Sequence, residues 1–543
     1  MTNSILTEQN QYSSFLQERL WDQLFESGSD LRKALVAHFK VSDDYARKII
    51  ERAVKARWIR SSKPYTFGRG QYIYMPFGQE LDFFKVKTVC YSTRPALYRL
   101  MQAIENNEGV ISFYEGLKIT ASPDENSSTK VTILKDMVKL LMRMDLVYEL
   151  QDSNGVNYIL LKNHFDPNPE ITDARLMGAQ FNKMVLDSSL MADIIRWLAK
   201  SNLIDNINAI YRNKKTPSLG AKQNNLYWDA YSYTRATGIN PFVGAKASTV
   251  EKQTLVVLDV VLSTEYSQLD LDGFLARVQI NLNSVKTGVR KILPIVIYRS
   301  CSVLVLGKIS KLGFLAFDIG SIFGTKIYSL LNKLKEVNDL LFSGGQLEHS
   351  VKEVLKVIRS AGQEDALRDL RGVMFEILMF PVLSSIYANA AATRGKTYSV
   401  TDADGKKEGY EYDYIFNSSH PQEIVVVELK GYNESVSINV GDRDKKGTLK
   451  WFFERTLPFA RQHFAKEIAE GKHFRGVYIT SAHFWKDCNE FIETMNKSHF
   501  KSAKMDVAYS RKELLAMLAI NGFIKECEII EEYYAKAEQS DDA

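Results

Sequence analysis

At 543 residues, with 45% hydrophobic, 11% aromatic and 25% charged side chains, the chain holds enough apolar mass for several cores and too much for an extensively disordered protein. Its formal net charge of +5 is small for that length, so a polyanion-binding surface would have to come from how charge is distributed. No run of about eighteen apolar residues occurs, which argues against a membrane-spanning helix. The opening MTNSILTEQNQYSSF has neither a basic n-region nor an apolar h-region. Cys90, Cys301, Cys488 and Cys527 form no CxxC pair and stand at no zinc spacing with histidine. These features predict a cytoplasmic protein with buried thiols and no membrane partner.

Length alone suggests three or four domains. Changes in pattern put them at 1–90, 91–168, 169–345 and 346–543. Charge is concentrated in the first: from Leu31 to Arg69 there are eleven Lys/Arg against three Asp/Glu. The periodicity predicts a helix DLRKALVAHF, a turn KVS and a second helix DDYARKIIERAVKARWI. Two strand-like pieces, RSSKPYTF and QYIYMPF, then flank Gly68-Arg69-Gly70. Ala46, Ile49, Ile50, Ala53 and Val54 make an apolar stripe on the second helix, which leaves Arg47, Lys48, Arg52 and Lys55 facing solvent. This outline resembles a winged helix-turn-helix, and the resemblance implies that the basic face enters a DNA groove. The alternative is a solvated basic face in a protein-binding domain.

The outline recurs in RPALYRLMQAIEN, ISFYEGLKIT, STKVTILKDMVKLLMRMDLVYEL and VNYILLK, with a turn at Asp152-Ser153-Asn154-Gly155. Here the candidate recognition helix mixes Lys130, Lys135 and Lys139 with Asp136. A spacer or a dimer surface is the expectation. From 169 to 345 the character changes: strand runs TLVVLDVVLS, ILPIVIYRS and GFLAFDIGSIFG alternate with helical stretches. That alternation predicts an α/β layer with a sheet covered on both faces.

The C-terminal segment repeats this order. A helix QEDALRDLRGVMFEILMFPVLSSIYANAAA precedes strands YEYDYIF and EIVVVELKG, and further helices alternate with FRGVYIT and MDVAYS. A buried aliphatic run that ends in Glu428-Leu429-Lys430 needs an explanation. Alternation on a strand puts Glu428 and Lys430 on one face and Leu429 on the other. An E-x-K on a strand alone is ordinarily a cross-strand ion pair. Together with Glu376 inside an apolar helix and Asp413 inside a hydrophobic strand it is costly to bury without a function.

Glu376, Asp413 and Glu428-Leu429-Lys430, in that order, resemble the PD-(D/E)XK, or restriction-endonuclease-like, nuclease superfamily over roughly residues 363–520. Tyr412, where the motif name has proline, is a departure. The resemblance implies that Asp413, Glu428 and the backbone carbonyl of Leu429 bind Mg²⁺ or Mn²⁺, that Lys430 positions or activates the attacking water and offsets developing charge, and that Glu376 orients that water or helps hold a second ion. Hard oxygen donors suit those ions, which can activate water and neutralise a phosphodiester. Lys445, Lys446 and Lys450, in the following GDRDKKGTLKW, could approach the phosphate backbone, as could Arg461 and His463 on the next helix.

LYWDAYSYTRATG and TLVVLDVVLS have the same outline, with Asp229 and then Asp259-Val260-Val261; Val261 stands where the lysine would be. The expected architecture is therefore multidomain: winged helices, then two α/β nuclease-like modules, the first a degenerate copy with a structural or DNA-clamping role; the alternative for that first module is an unrelated α/β domain with accidental similarity. The expected function is a metal-dependent DNA endonuclease of restriction, antiphage defence or mobile-element processing, working alone, as a homo-oligomer or with partner proteins. Alternatives are a non-enzymatic DNA-binding regulator and a nuclease acting on RNA. The chain has no GxxxxGK[ST] phosphate loop, so driven translocation would need another subunit.

Overall fold

The structure, a computed structural model, describes residues 2–67, 70–125, 132–163, 166–205, 209–213, 216–235, 254–284, 291–343, 347–401 and 407–535. Gly68, Arg69 and Lys130, from the segments read above, lie outside the described residues. The fold is mixed α/β, with helices around several sheets. It divides into two compact units that interleave along the chain: 1–180 with 222–227 and 267–288, and 181–221 with 228–266 and 289–543. Among the described residues no helix is long and apolar enough to cross a membrane.

The first unit contains one arrangement twice. Strand Glu26–Ser27 leads into helices Gly28–Phe39 and Asp43–Lys55, followed by strands Ile59–Ser61 and Ile73–Pro76. The three strands form an antiparallel sheet with the last in the centre. Val110–Ser112, helices Phe113–Thr120 and Leu134–Arg143, and strands Val147–Gln151 and Asn157–Leu161 repeat that order. Ser27 and Ser112 start the first helix of each copy, their hydroxyls accepting from the amides of Asp30 and Glu115.

On helix Asp43–Lys55 the Ser42 hydroxyl accepts from the Tyr45 amide, and Ala46, Ile49, Ile50 and Ala53 are buried with Leu31, Leu35 and Ile59. Arg47, Lys48, Arg52 and Lys55 are exposed on the other face. The helix stops at Lys55, short of the expected Ile59, because Arg57 turns the chain at φ 60° into the strand.

Helix Gln268–Asn283 follows the central strand of the middle sheet in sequence but packs in the first unit. At Gly273 an added Cβ would lie 2.9 Å from the carbonyl oxygen of Ile119, so only glycine permits that approach. Arg277 adds a hydrogen bond to the Tyr227 carbonyl at 2.9 Å.

The second unit holds two five-stranded sheets with the same plan. One runs Leu315–Asp318, Ile292–Tyr298, Thr254–Val261, Ala230–Thr234, Ile210–Tyr211; the other Ala508–Tyr509, His473–Thr480, Glu423–Lys430, Lys407–Ser418, Ala390–Thr401. In each the central strand has two parallel strands on one side and, on the other, an antiparallel neighbour that pairs antiparallel in turn with the edge strand. One continuous apolar core serves both, from Leu186 and Val256 to Met374, Val427 and Tyr534. Three elements differ from expectation. In the strand run GFLAFDIGSIFG the strand ends at Asp318, whose side chain caps a short helix Ile319–Phe323. Ala390–Ala392, read as helix, form sheet pairs with Phe416, Asn417 and Ser418; pairing in the sheet outweighs alanine's helical preference. The stretch read as helix from Lys450 to Gly471 is broken: it starts as a π-helical turn over Trp451–Thr456 and continues as short helices.

Helix Arg368–Ile386, which carries Glu376, has no side-chain cap of its own. Asp193, from helix Met191–Lys200, takes that role: its carboxylate accepts from the amides of Asp369 and Leu370, each at 3.2 Å, and pairs with Arg196 at 3.0 Å. Burial pushes the Asp193 carboxyl up to about 6, although Arg196 pulls it down. Asp193→Ala is expected to lower stability by about 1–2 kcal/mol, since it removes the cap from two helix amides, while Arg196 keeps its pair with Asp369 and its bonds to the Asp365 and Ala366 carbonyls. Because the folded carboxyl holds its proton more tightly than the ordinary value of 3.8, its stabilising share is complete below 3.8 and is lost as pH rises through about 6. Thermal midpoints of the parent and Asp193→Asn between pH 4 and pH 7 should diverge by that component alone.

Candidate functional site

At one end of the C-terminal sheet, strands Lys407–Ser418 and Glu423–Lys430 part. Their ladder stops at the Tyr414–Val427 pair, so Asp413 and Glu428 are the next residues to face each other. Where a backbone bond would continue, the Leu429 N–H donates to Asp413 Oδ2 at 2.7 Å. The N–H and C=O of one strand residue leave on the same side, so the Leu429 carbonyl lines the same gap. Glu428 and Lys430 lie on the face shared with Ile424 and Val426, opposite Val425, Val427 and Leu429. Lys430 Nζ donates to Glu428 Oε1 at 2.5 Å. Asp413 is 6% exposed, while the Glu428 and Lys430 side chains keep 17% and 22% of their surface open to solvent.

Burial works against the Lys430 ammonium, but Glu428 and then Asp413 outweigh it and hold the group well above the ordinary lysine range. Tyr478 lies opposite Glu428 on the parallel strand, and its hydroxyl donates to the Gly447 carbonyl at 3.0 Å. Two carboxylates and a peptide carbonyl on one edge form a hard oxygen donor set of the kind Mg²⁺ or Mn²⁺ accepts.

Glu376 arrives from the other layer. Its helix presses on the end of the same strand: a Cβ at Gly431 would lie 2.4 Å from the Cβ of Phe375. The Glu376 carbonyl accepts from the Tyr414 hydroxyl at 3.1 Å, and its side chain is half-buried. Among the described residues no three His, Cys, Asp or Glu side chains gather as a ready ion site, so Glu376 does not close with Asp413 and Glu428 into one.

Of the basic residues expected nearby, Lys445 and Lys446 are exposed and Lys450 is half-buried at the start of the π-helical turn. Their loop is braced from beneath by Arg455, which binds Asp444, Glu408 and the Tyr410 hydroxyl. Arg461 and His463 are used elsewhere: His463 stacks on Tyr398 with ring centres 4.5 Å apart, and Arg461 meets His499 at 3.4 Å. In the first unit, Arg47 pairs with Glu51 at 3.3 Å along its own helix, an exposed contact of little energetic weight.

The middle sheet reproduces the carboxylate geometry. Register from Ala230–Leu258 sets Asp229 opposite Asp259, and the amide of Val260, the residue after Asp259, donates to Asp229 Oδ2 at 2.8 Å. The difference lies in the cation. Val261 is apolar, and Arg212, just past the edge strand, pairs with Asp229 at 3.2 Å, both side chains being 1% exposed. Arg212 also donates to the Pro217 carbonyl, and the Tyr266 hydroxyl donates to Asp259 at 3.1 Å. Sequence reading missed Arg212 and Tyr266, as well as Arg455 and Tyr478, because none stands at a fixed spacing from the acids it serves.

No family model, no curated protein and no solved structure matches the chain. Arg212→Ala should destabilise the protein by about 3–5 kcal/mol, because it removes the buried guanidinium that faces the Asp229 carboxylate. The double change Arg212→Met with Asp229→Leu should cost clearly less. Chemical denaturation of the two variants beside the parent checks the order.

Proposed function

We propose that the chain is a divalent-metal-dependent DNA endonuclease, with its chemistry at Asp413, Glu428 and Lys430 in a PD-(D/E)XK-type module. The observation that carries this reading is the parted strand pair, where the Asp413 carboxylate takes the Leu429 amide and so aligns two acids, a carbonyl and a lysine on one edge. Such an edge is expensive to bury for structure alone.

Asp413, Glu428 and the Leu429 carbonyl would hold Mg²⁺ or Mn²⁺, which supplies an activated water and neutralises phosphate charge when bound. The protein's own groups do the rest. The Leu429 N–H fixes the orientation of the Asp413 carboxylate. Lys430, kept beside Glu428, would offset with its ammonium the negative charge that grows on the phosphate. Glu376 acts from the helix behind, as a residue that orients rather than as part of the carboxylate pair.

The middle sheet is, in this reading, a degenerate copy of the module, in which Arg212 and Tyr266 satisfy the acids internally and catalysis is lost. The repeated three-stranded arrangements of the first unit are read as winged helix-turn-helix domains. The exposed Arg47, Lys48, Arg52 and Lys55 of the first would reach DNA phosphates, with the buried stripe beneath as their support.

Glu428→Ala and Asp413→Ala should abolish plasmid cleavage and weaken binding of Mn²⁺ measured by calorimetry, while Lys430→Ala should keep the ion and slow cleavage about 10²–10³-fold. EDTA should stop the parent, and Asp229→Asn, whatever it costs in stability, should leave the rate per folded molecule unchanged. Parental rates in all three variants of the C-terminal edge would reduce Glu428 and Lys430 to a strand ion pair. Replacing Arg47, Lys48 and Arg52 by alanine should weaken duplex binding regardless of sequence and flatten its salt dependence by about 0.9 for each phosphate no longer neutralised. Filter binding across a salt series measures that slope.

A further inference from the structure

Strands Glu423–Lys430 and His473–Thr480 run parallel and end side by side at the Lys430–Thr480 pair. The crevice beyond the carboxyl ends of parallel strands is where α/β sheets bind ligands. Each strand here leads into a segment bearing an exposed aromatic ring: Tyr432 is 38% exposed and Trp485 is 60% exposed. The segments are stitched together. Ser437–Ile438 pairs with His483–Phe484, the Trp485 amide donates to the Ile438 carbonyl at 2.7 Å, and Ser481 Oγ donates to the Tyr432 carbonyl at 2.6 Å. Both rings therefore stand on fixed backbone and are exposed to solvent.

Charge on this rim is sorted by use. Asp442 accepts from the amides of Asp444 and Lys445 at 2.9 and 2.8 Å, Asp444 binds Arg455, and Asp487 accepts from the Val440 amide at 3.3 Å. Glu434 faces His483 at 3.5 Å and Arg511 at 3.9 Å. The acids thus brace the loops. Lys445, Lys446 and Lys486 are exposed, and among the described residues none of them enters an ion pair. The rim presents cations and aromatic rings to solvent, while its acids Asp442, Asp444 and Asp487, although exposed, are engaged by backbone amides or by Arg455.

We infer that this rim binds single-stranded DNA, with Tyr432 and Trp485 as platforms for unpaired bases and Lys445, Lys446 and Lys486 on the sugar-phosphate chain. The inference rests on the endonuclease reading and deepens it by naming the substrate class: DNA that is unpaired where it meets the carboxylate edge, as at a flap, a gap or an unwound stretch. Duplex DNA keeps its base faces stacked and would give the two rings nothing to cover. An unpaired strand offers both a base face for each ring and a phosphate for each lysine.

The test uses the full chain in EDTA, so that binding is read without cleavage, with a labelled single strand and a duplex of the same sequence at fixed salt. Trp485→Ala and Tyr432→Ala, checked for an unchanged thermal midpoint, should each weaken single-strand binding about tenfold or more, and duplex binding little. Trp485→Phe keeps a ring and should restore most of the affinity. Alanine at Lys445 and Lys446 should flatten the single-strand salt slope by about 0.7 for each phosphate set free. The inference is overturned if the aromatic variants bind the single strand as the parent does, or if they lose single strand and duplex alike. A parent that binds the single strand through these rings yet never cuts in Mg²⁺ would instead sink the endonuclease reading, so the two failures are separable.

Discussion

The Asp413 carboxylate accepting the Leu429 amide is the contact on which the candidate site depends. A strand that leaves its neighbour normally exposes a donor and an acceptor at the fork, and both must find partners. Here a side chain closes the donor. The fork can then remain open without an orphaned amide, and the acid that closes it is held at a fixed angle. Lys430 and Glu428 face the opening because the pleat requires it, and the aliphatic run behind them, from Ile424 to Val427, is buried on both faces and anchors the strand.

The middle sheet shows the same fork resolved differently. Asp229 closes the donor of Val260 as Asp413 closes that of Leu429, yet its charge is met by an arginine sealed into the interior. A buried guanidinium is a fixed counterion, whereas a partly exposed lysine leaves the acids within reach of solvent. The two forks separate stability from reactivity within a single chain: one is complete in itself, and the other is accessible. They share a core, so strain at either is carried by the same packed layer of leucine, valine and phenylalanine side chains.

Much of this was legible in the sequence, for identifiable reasons. Strands such as Thr254–Val261 and Glu423–Lys430 announce themselves as continuous aliphatic runs, and helix Asp43–Lys55 as an apolar stripe against four cations. Order along the chain was enough to single out Asp413, Glu428 and Lys430. Long-range partners were not legible. Asp193 caps a helix that begins 175 residues later at Arg368, and Arg212 meets Asp229 from just past a two-residue edge strand too short to read. Ala390–Ala392 went to the wrong element because local propensity favours helix while the partner strand, some twenty-five residues on, decides for sheet. Local pattern reports what a segment buries; it does not report which distant group completes it.

The interleaving of the two units has a consequence for how the chain comes to be folded. Helix Gln268–Asn283 belongs to the first unit although the second has already begun at residue 181. During synthesis the first unit cannot finish until residue 288 has left the ribosome, by which point two pieces of the second have emerged without the remainder of their sheet. The strand Thr254–Val261, apolar along nearly its whole length, must therefore wait, unpaired on its parallel side, until Ile292–Tyr298 is made. A nascent chain of this design exposes a sticky edge for the time needed to translate about thirty residues, a matter of seconds at ordinary elongation rates, and chaperone capture is best timed to that interval.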